Sequence, residues 1–106
     1  MFLICFYPDH KIISIYVEQY NIPGHYAPLA DFDLMLKAKQ KADEIGATTH
    51  VGNILSSDTF YNADPTFNEK WQRMGILGIE MESAALYLNA TFANKKALGV
   101  FTVSDH

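Results

Sequence analysis

From residue 31 onward, segments of helical periodicity alternate with short apolar runs, in the order α, β, α, β, α, β. Such an alternation leads to an α/β fold, with a mostly parallel sheet between layers of helices. The runs Ile76-Leu77-Gly78-Ile79 and Ala97-Leu98-Gly99-Val100-Phe101-Thr102-Val103 are apolar without strong alternation, which suits strands covered on both faces. Ligands of such sheets collect at the carboxyl ends of the strands. Both runs end in acid: Glu80-Met81-Glu82 closes the first and Ser104-Asp105 the second. Carboxylates there suit sugar hydroxyls or a proton transfer better than they suit phosphate.

The other elements follow from local signals. Asp31 offers an N-cap to a helix in which Phe32, Met35, Ala38, Ala42 and Ile45 recur at spacings of three and four, up to Gly46 at a C′ position. A strand is expected over 50–55, and the polar and aromatic loop 56–62 leaves it where a strand-end site needs a loop. Thr66 with Glu69 three residues on makes a capping-box pattern. Phe67, Trp71 and Met74 then mark one face of a short helix ending at Gly75. Strand 76–80 leads into an Ala-rich helix over about 82–93, lined by Leu86, Ala90 and Ala93, and the last strand covers 97–103. Residues 18–30, with Asn21, Pro23, Gly24 and Pro28, read as a loop. Residues 1–17 read as one or two strand-like pieces, the second over 12–17, and carry no interpretable motif.

Composition narrows the function classes. A chain of 106 residues with 49% apolar content has the material for one small domain, or part of a larger one, and is not disordered. Its net charge of −4 argues against nucleic acid or an anionic membrane as partner, since both reward clustered Lys and Arg. Arg73 is the one arginine, and Lys37, Lys39 and Lys41, beside Asp43 and Glu44, form the pattern of a solvated face. A single cysteine, Cys5, allows no internal disulfide, which fits a reducing cytoplasm, and it reads as a small buried hydrophobe. The apolar start is interrupted by Pro8, Asp9, His10 and Lys11 before it reaches the roughly 18 residues of a membrane span. It also lacks a basic leading region and a small-residue cleavage site, so a signal peptide is not expected. His10, His25, His50 and His106 show no ligand spacing, so no metal site is expected. Ser104 is not in a GxSxG context, which argues against a nucleophilic serine.

On chemistry alone the acids keep two readings each. Asp105 either holds its proton through burial at a strand end and acts as a general acid, or it caps the next turn. Glu80 and Glu82 lie two apart, so a strand end points them to opposite sides unless the chain turns, and a turn at Met81 is expected. One of them then sits exposed in the first turn of the following helix, where its charge favours the macrodipole. Phe60 either stacks on a planar ligand or belongs to the core.

Taken in order, Val51-Gly52-Asn53, Ser57-Asp58, Phe60-Tyr61, the stretch from Trp71 to Gly75, Gly78-Ile79-Glu80-Met81-Glu82-Ser83-Ala84-Ala85 and Thr102-Val103-Ser104-Asp105-His106 closely resemble the bacterial DeoD-type purine nucleoside phosphorylases. The resemblance covers roughly residues 20–106. It implies the three-layer α/β/α nucleoside-phosphorylase-like fold, with only part of the full domain present: residues 18–106 as a partial domain, and residues 1–17 as a divergent or mis-predicted segment. It also implies phosphorolysis, in which a purine ribo- or deoxyribonucleoside and phosphate give the free base and the sugar 1-phosphate. Phosphate is then a co-substrate and no cofactor is needed.

By position, the resemblance makes Asp105 the general acid that protonates or hydrogen-bonds N7 of the departing purine, an effect typically worth about 10²–10⁴-fold in rate. Ser104 shapes the base pocket, Ile79 lines it, and Phe60 stacks on the purine. Glu82 accepts hydrogen bonds from the ribose hydroxyls, Met81 packs on the sugar ring, and Glu80 belongs to the same nucleoside-binding run. Carboxylates nearby suit the positive charge of an oxocarbenium-like transition state. The resemblance further implies a cytoplasmic homo-oligomer, hexameric in complete relatives.

Departures from the family are equally specific. Such enzymes hold phosphate with a glycine-rich loop and several arginines early in the chain, and a further arginine follows the aspartate; this sequence matches none of these. The expectation is therefore the nucleoside-binding C-terminal portion of such an enzyme, without its phosphate site and weak or inactive alone. The Glu-Met-Glu core is shared across the wider superfamily. A uridine phosphorylase, a hydrolytic nucleosidase and a noncatalytic nucleoside-binding remnant are thus the alternatives, while the Val-Gly-Asn strand, the Phe-Tyr loop and the Ser-Asp-His ending favour the purine branch.

Overall fold

Helix α1, Phe32–Glu44, starts as its cap predicts: the Asp31 carboxylate accepts the Leu34 N–H at 3.0 Å. It stops where Gly46 takes φ +70°, a left-handed conformation that glycine adopts without a Cβ penalty. Lys39 pairs with Asp43 and Lys41 with Glu44 on its exposed side, the solvated face expected of this run. Only Ala42 of the predicted apolar stripe is buried, whereas Phe32 and Ile45 are 66% and 79% exposed. These features belong to a computed structural model that describes residues 2–8, 18–24 and 26–105.

The remaining elements are β1 (Phe2–Pro8), β2 (His50–Ser56), α2 (Phe67–Arg73), β3 (Ile79–Glu80), α3 (Ser83–Phe92) and β4 (Val100–Phe101). The first strand-like piece expected near the start is β1; the second, over 12–17, lies outside the described residues, as does the Cys5 side chain. Residues 18–20 are helical, and 21–24 and 26–31 form the expected loop.

The capping box at α2 does not form. Thr66 sits at φ −96°, ψ 2°, outside the extended region a capping residue needs, and makes no side-chain cap. Its hydroxyl instead donates to Asp64 Oδ1 at 2.7 Å, and the same oxygen accepts the Thr66 N–H at 2.9 Å. Lys70 completes the cluster by donating to Asp64 Oδ2 at 2.6 Å.

The described strands form one sheet in the order β3-β2-β1-β4. β1 pairs in parallel with β2 from Phe2 opposite His50 to Pro8 opposite Ser56. β2 pairs in parallel with β3, Leu55 opposite Ile79 and Ser56 opposite Glu80. β4 is antiparallel to β1 and spans two residues rather than the expected 97–103. An alternation of element types determines that a sheet and helices will layer, but a strand's direction depends on the neighbour it finds, and β4 finds β1. The result is an α/β fold with a mixed sheet.

At the carboxyl half of β2, Ile54, Leu55 and Ser56 are consecutive and all buried, so the sheet is covered on both faces there. The core joins Ile54, Ala84 and Tyr87, with Ala30, Ala97 and Phe101 packed around them. Helix α3 turns Ser83, Ala84, Tyr87 and Leu88 inward, not the expected stripe of Leu86, Ala90 and Ala93; Leu86 is 48% exposed. A helix this rich in small apolar residues has no dominant face of its own. Tyr87 sets the orientation, because its hydroxyl accepts the buried Gly99 N–H at 2.9 Å. Glycine is required at 99: a Cβ there would lie 2.5 Å from Phe101 Cε2 and 3.0 Å from the Tyr87 hydroxyl.

Candidate active site

The paired ends of β2 and β3 build one wall. The Ser57 N–H donates to the Glu80 carbonyl at 2.8 Å, continuing the ladder one residue past the strand. The chain then turns at Met81 and Glu82, as expected, and enters α3. Glu80 Oε2 accepts the N–H groups of both Glu82 and Ser83 at 2.7 Å, and the Ala84 N–H reaches Ser56 Oγ at 3.4 Å. Of the pair, Glu82 is the exposed residue flanking the helix, as one reading expects, but it is the half-buried Glu80 whose carboxylate takes the N–H groups at the helix start. Glu82 is exposed and folds back on its own turn, its Oε2 accepting the Met81 N–H at 3.3 Å.

Ser56, Ser57 and Ser83 are buried polar residues around this junction. Ser57 starts the following loop through reciprocal bonds with the backbone of Thr59, at 3.1 and 3.2 Å. The sequence pattern alone assigns Ser56 and Ser83 no role. For Ser56 the signal is positional: a serine that ends a buried strand is well placed to receive an N–H group of an adjacent helix end.

A cleft of about 690 Å³ opens beside this wall, within the range of small-molecule sites. It brings together five of the residues singled out in the sequence: Phe60, Ile79, Glu80, Ser104 and Asp105. Met81 and Glu82 do not line it. Helix α2 contributes Asn68, Trp71 and Gln72, spaced so that they share one face. Trp71 was expected on an apolar face; the two amides beside it were not singled out.

Because β4 is antiparallel to the other strands, its carboxyl end and that of β3 point to opposite ends of the sheet. Ser104 and Asp105 reach the same cleft as Glu80 because residues 102–105 leave the strand. Asp105 is exposed, so the described residues do not provide the burial at a strand end that one reading assigned to it. The Ser104 hydroxyl lies 3.5 Å from Asp105 Oδ2, at the outer limit of a hydrogen bond. Phe60 is 71% exposed at the cleft mouth and meets Tyr61 edge to face, ring centroids 4.8 Å apart. It belongs to the cleft and not to the core.

The cleft wall is largely apolar, with the rings of Phe60, Trp71 and Phe101 and the acids Glu80 and Asp105, and with no Lys or Arg among its described lining residues. Arg73 lies on α2 but does not line it. Among the described residues, no group of three or more His, Cys, Asp or Glu is placed to hold a metal, and no helix is long and apolar enough to cross a membrane. A largely apolar, ring-lined cleft with an exposed carboxylate, Asp105, fits a neutral ligand with hydroxyls and a planar ring.

A sequence profile of the phosphorylase superfamily matches residues 5–106, and the chain belongs to that superfamily. Within it, the chain is similar to proteins named purine nucleoside phosphorylase DeoD-type. It is 51% identical over 80 residues to the one from a Thermoanaerobacter species, a match covering 76% of this chain and 34% of the relative. The Streptococcus pyogenes relative is 51% identical over 81 residues, with the same coverage, and the one from Roseobacter denitrificans 49% over 82 residues, 77% of this chain and 35% of the relative. The chain spans about a third of the length of the curated relatives it matches. These matches bear out the family resemblance read from the motifs.

Proposed function

We propose that the cleft binds a purine nucleoside and that the chain supplies the nucleoside-binding part of a DeoD-type purine nucleoside phosphorylase. The observation that carries this reading is the convergence of Phe60, Ile79, Glu80, Ser104 and Asp105, from separate segments of the chain, on one cleft. Phe60 provides the ring against which the base stacks, Ile79 an apolar side, and Asp105, beside Ser104, the carboxyl that hydrogen-bonds or protonates N7 as the base leaves. Met81 and Glu82, on the exposed turn next to the cleft, take the sugar; Glu82 leaves its 3.3 Å bond to the Met81 N–H to do so. The Glu82 carboxylate favours the positive charge that builds on the ribose.

The whole reaction is phosphorolysis, with phosphate as co-substrate and no cofactor. The chain's one arginine lies off the cleft, which supports weak turnover by the chain alone. We place the protein in the cytoplasm, assembled with further copies of itself as a homo-oligomer. Exposed large apolar side chains such as Ile45, Met74 and Phe92 support such assembly.

Titration of inosine into the 106-residue chain, followed by backbone amide shifts, tests the reading. Saturable movement of the Phe60, Glu80, Ser104 and Asp105 signals is expected; shifts confined to other segments, or none, refute it. Assaying inosine, uridine and methylthioadenosine with and without phosphate separates the purine reading from its relatives. Vigorous phosphate-dependent hypoxanthine release by the chain alone overturns the expectation of weak turnover.

A further inference from the structure

Glu80 lines the cleft, yet its carboxylate is committed elsewhere. A helix begins with N–H groups that have no intrahelical partner, and Glu82, the residue flanking α3, makes no side-chain cap. Glu80 Oε2 takes two of those N–H groups, from Glu82 and Ser83, each at 2.7 Å. Ser56, directly opposite Glu80 in the sheet, takes the next one from Ala84. The ends of two neighbouring strands thus clamp the first turn of α3. A carboxylate accepting backbone N–H groups at a helix start combines a charge-assisted bond with a favourable macrodipole.

The second oxygen, Oε1, is shut off from solvent and has no hydrogen-bond partner. Oε2 is thus engaged by two backbone N–H groups and Oε1 is closed to solvent, so neither oxygen is freely presented to a ligand in the cleft. The backbone is held as well, since the Glu80 carbonyl accepts the Ser57 N–H. What remains free at this corner is the turn itself, Met81 and Glu82, whose side chains are exposed.

We propose that Glu80 is a positioning residue: it does not contact the nucleoside, but locks the Met81-Glu82 turn to the sheet so that Glu82 can meet the sugar. This rests on the nucleoside reading above. Glu80 and Glu82 then act as one unit. Removing the lock costs affinity only through Glu82, so once Glu82 is gone, Glu80 has nothing left to position.

The test compares Glu80→Gln, Glu80→Ala, Glu82→Ala and the double alanine variant of the 106-residue chain. The first readout needs no ligand: hydrogen exchange at the Glu82 and Ser83 amides. Exchange should speed up about tenfold in Glu80→Ala, in line with the loss of one helix cap, and less in Glu80→Gln, which keeps an acceptor oxygen and the shape of the side chain. The second readout is inosine affinity. Glu80→Ala should weaken binding about five- to tenfold, Glu80→Gln should restore most of it, and the double variant should bind no more weakly than Glu82→Ala.

Glu80→Gln also serves where Glu80→Ala fails to fold. Unchanged exchange at both amides in Glu80→Gln and in any folded Glu80→Ala overturns the proposal, as do additive losses of affinity, which signal direct contact by Glu80. If the unaltered chain binds no inosine, the nucleoside reading falls and the proposal with it. Binding with additive losses removes the proposal alone.

Discussion

Replacing Tyr87 by Phe removes one oxygen atom and leaves the ring, so it removes the bond that ties helix α3 to Gly99 without emptying the core. Tyr87 is 1% exposed, and its hydroxyl accepts the N–H of Gly99, which is itself buried. Without that oxygen the Gly99 N–H has lost its partner in a site closed to water. The penalty for a buried donor left unsatisfied is about 1–3 kcal/mol. No cavity of ring size opens, so the effect belongs to the hydroxyl. For a domain of this size, 1 kcal/mol moves the melting temperature by roughly 4–8 °C. Urea unfolding followed by far-ultraviolet circular dichroism reads the same quantity as a lower midpoint at an unchanged slope. Leu86→Ala, on the exposed side of the same helix, is the control and should cost clearly less. Equal midpoints for Tyr87→Phe and the unaltered chain, or a larger loss from Leu86→Ala, would refute the assignment of the buried face.

Gly99→Ala should destabilise by about 1–3 kcal/mol in the same assay, because the new methyl meets Phe101 at 2.5 Å and must displace the ring. Asp31→Ala removes the acceptor of the Leu34 N–H and should cost about 1 kcal/mol, read as a lower unfolding midpoint. Hydrogen bonds from the Lys70 ammonium and from Thr66 hold the Asp64 carboxyl down at about 2. Its folded value is depressed, so the contribution is present above the ordinary carboxylate range and is lost as pH falls toward 2. Carbon-13 titration of the carboxyl should show that midpoint, and Lys70→Met should raise it; an unchanged midpoint in the variant removes Lys70 as the main cause.

The legible parts of the site were those whose chemistry is local or whose motif spans a few residues. Phe60, Ile79, Glu80, Ser104 and Asp105 stand at the ends of apolar runs and in the loop between them, and all five reach the cleft. Asn68 and Gln72 were not singled out, because exposed amides on a short helix look like any solvated surface until the helix is placed beside a cavity. The capping box at Thr66 was misread for a related reason. The pattern describes what two side chains can do, while Asp64 two residues earlier offered the Thr66 hydroxyl a nearer partner.

From the sequence by itself came the order of elements from α1 to β4, the Asp31 cap, the stop at Gly46, the turn at Met81 and the family. The structural signals each depend on residues within a few positions of one another, where periodicity, capping and backbone conformation act, and the family on several such short motifs taken in order. The tertiary structure decided which side of α3 faces the core, the direction of β4 and the partners of the Glu80 carboxylate. Those outcomes rest on contacts between segments brought together by folding: Tyr87 with Gly99, Phe2 with Phe101, and Ser56 with both Glu80 and the first turn of α3. A buried N–H or carboxylate must find its partner wherever the packed chain supplies one, and pattern along the sequence does not encode that distance.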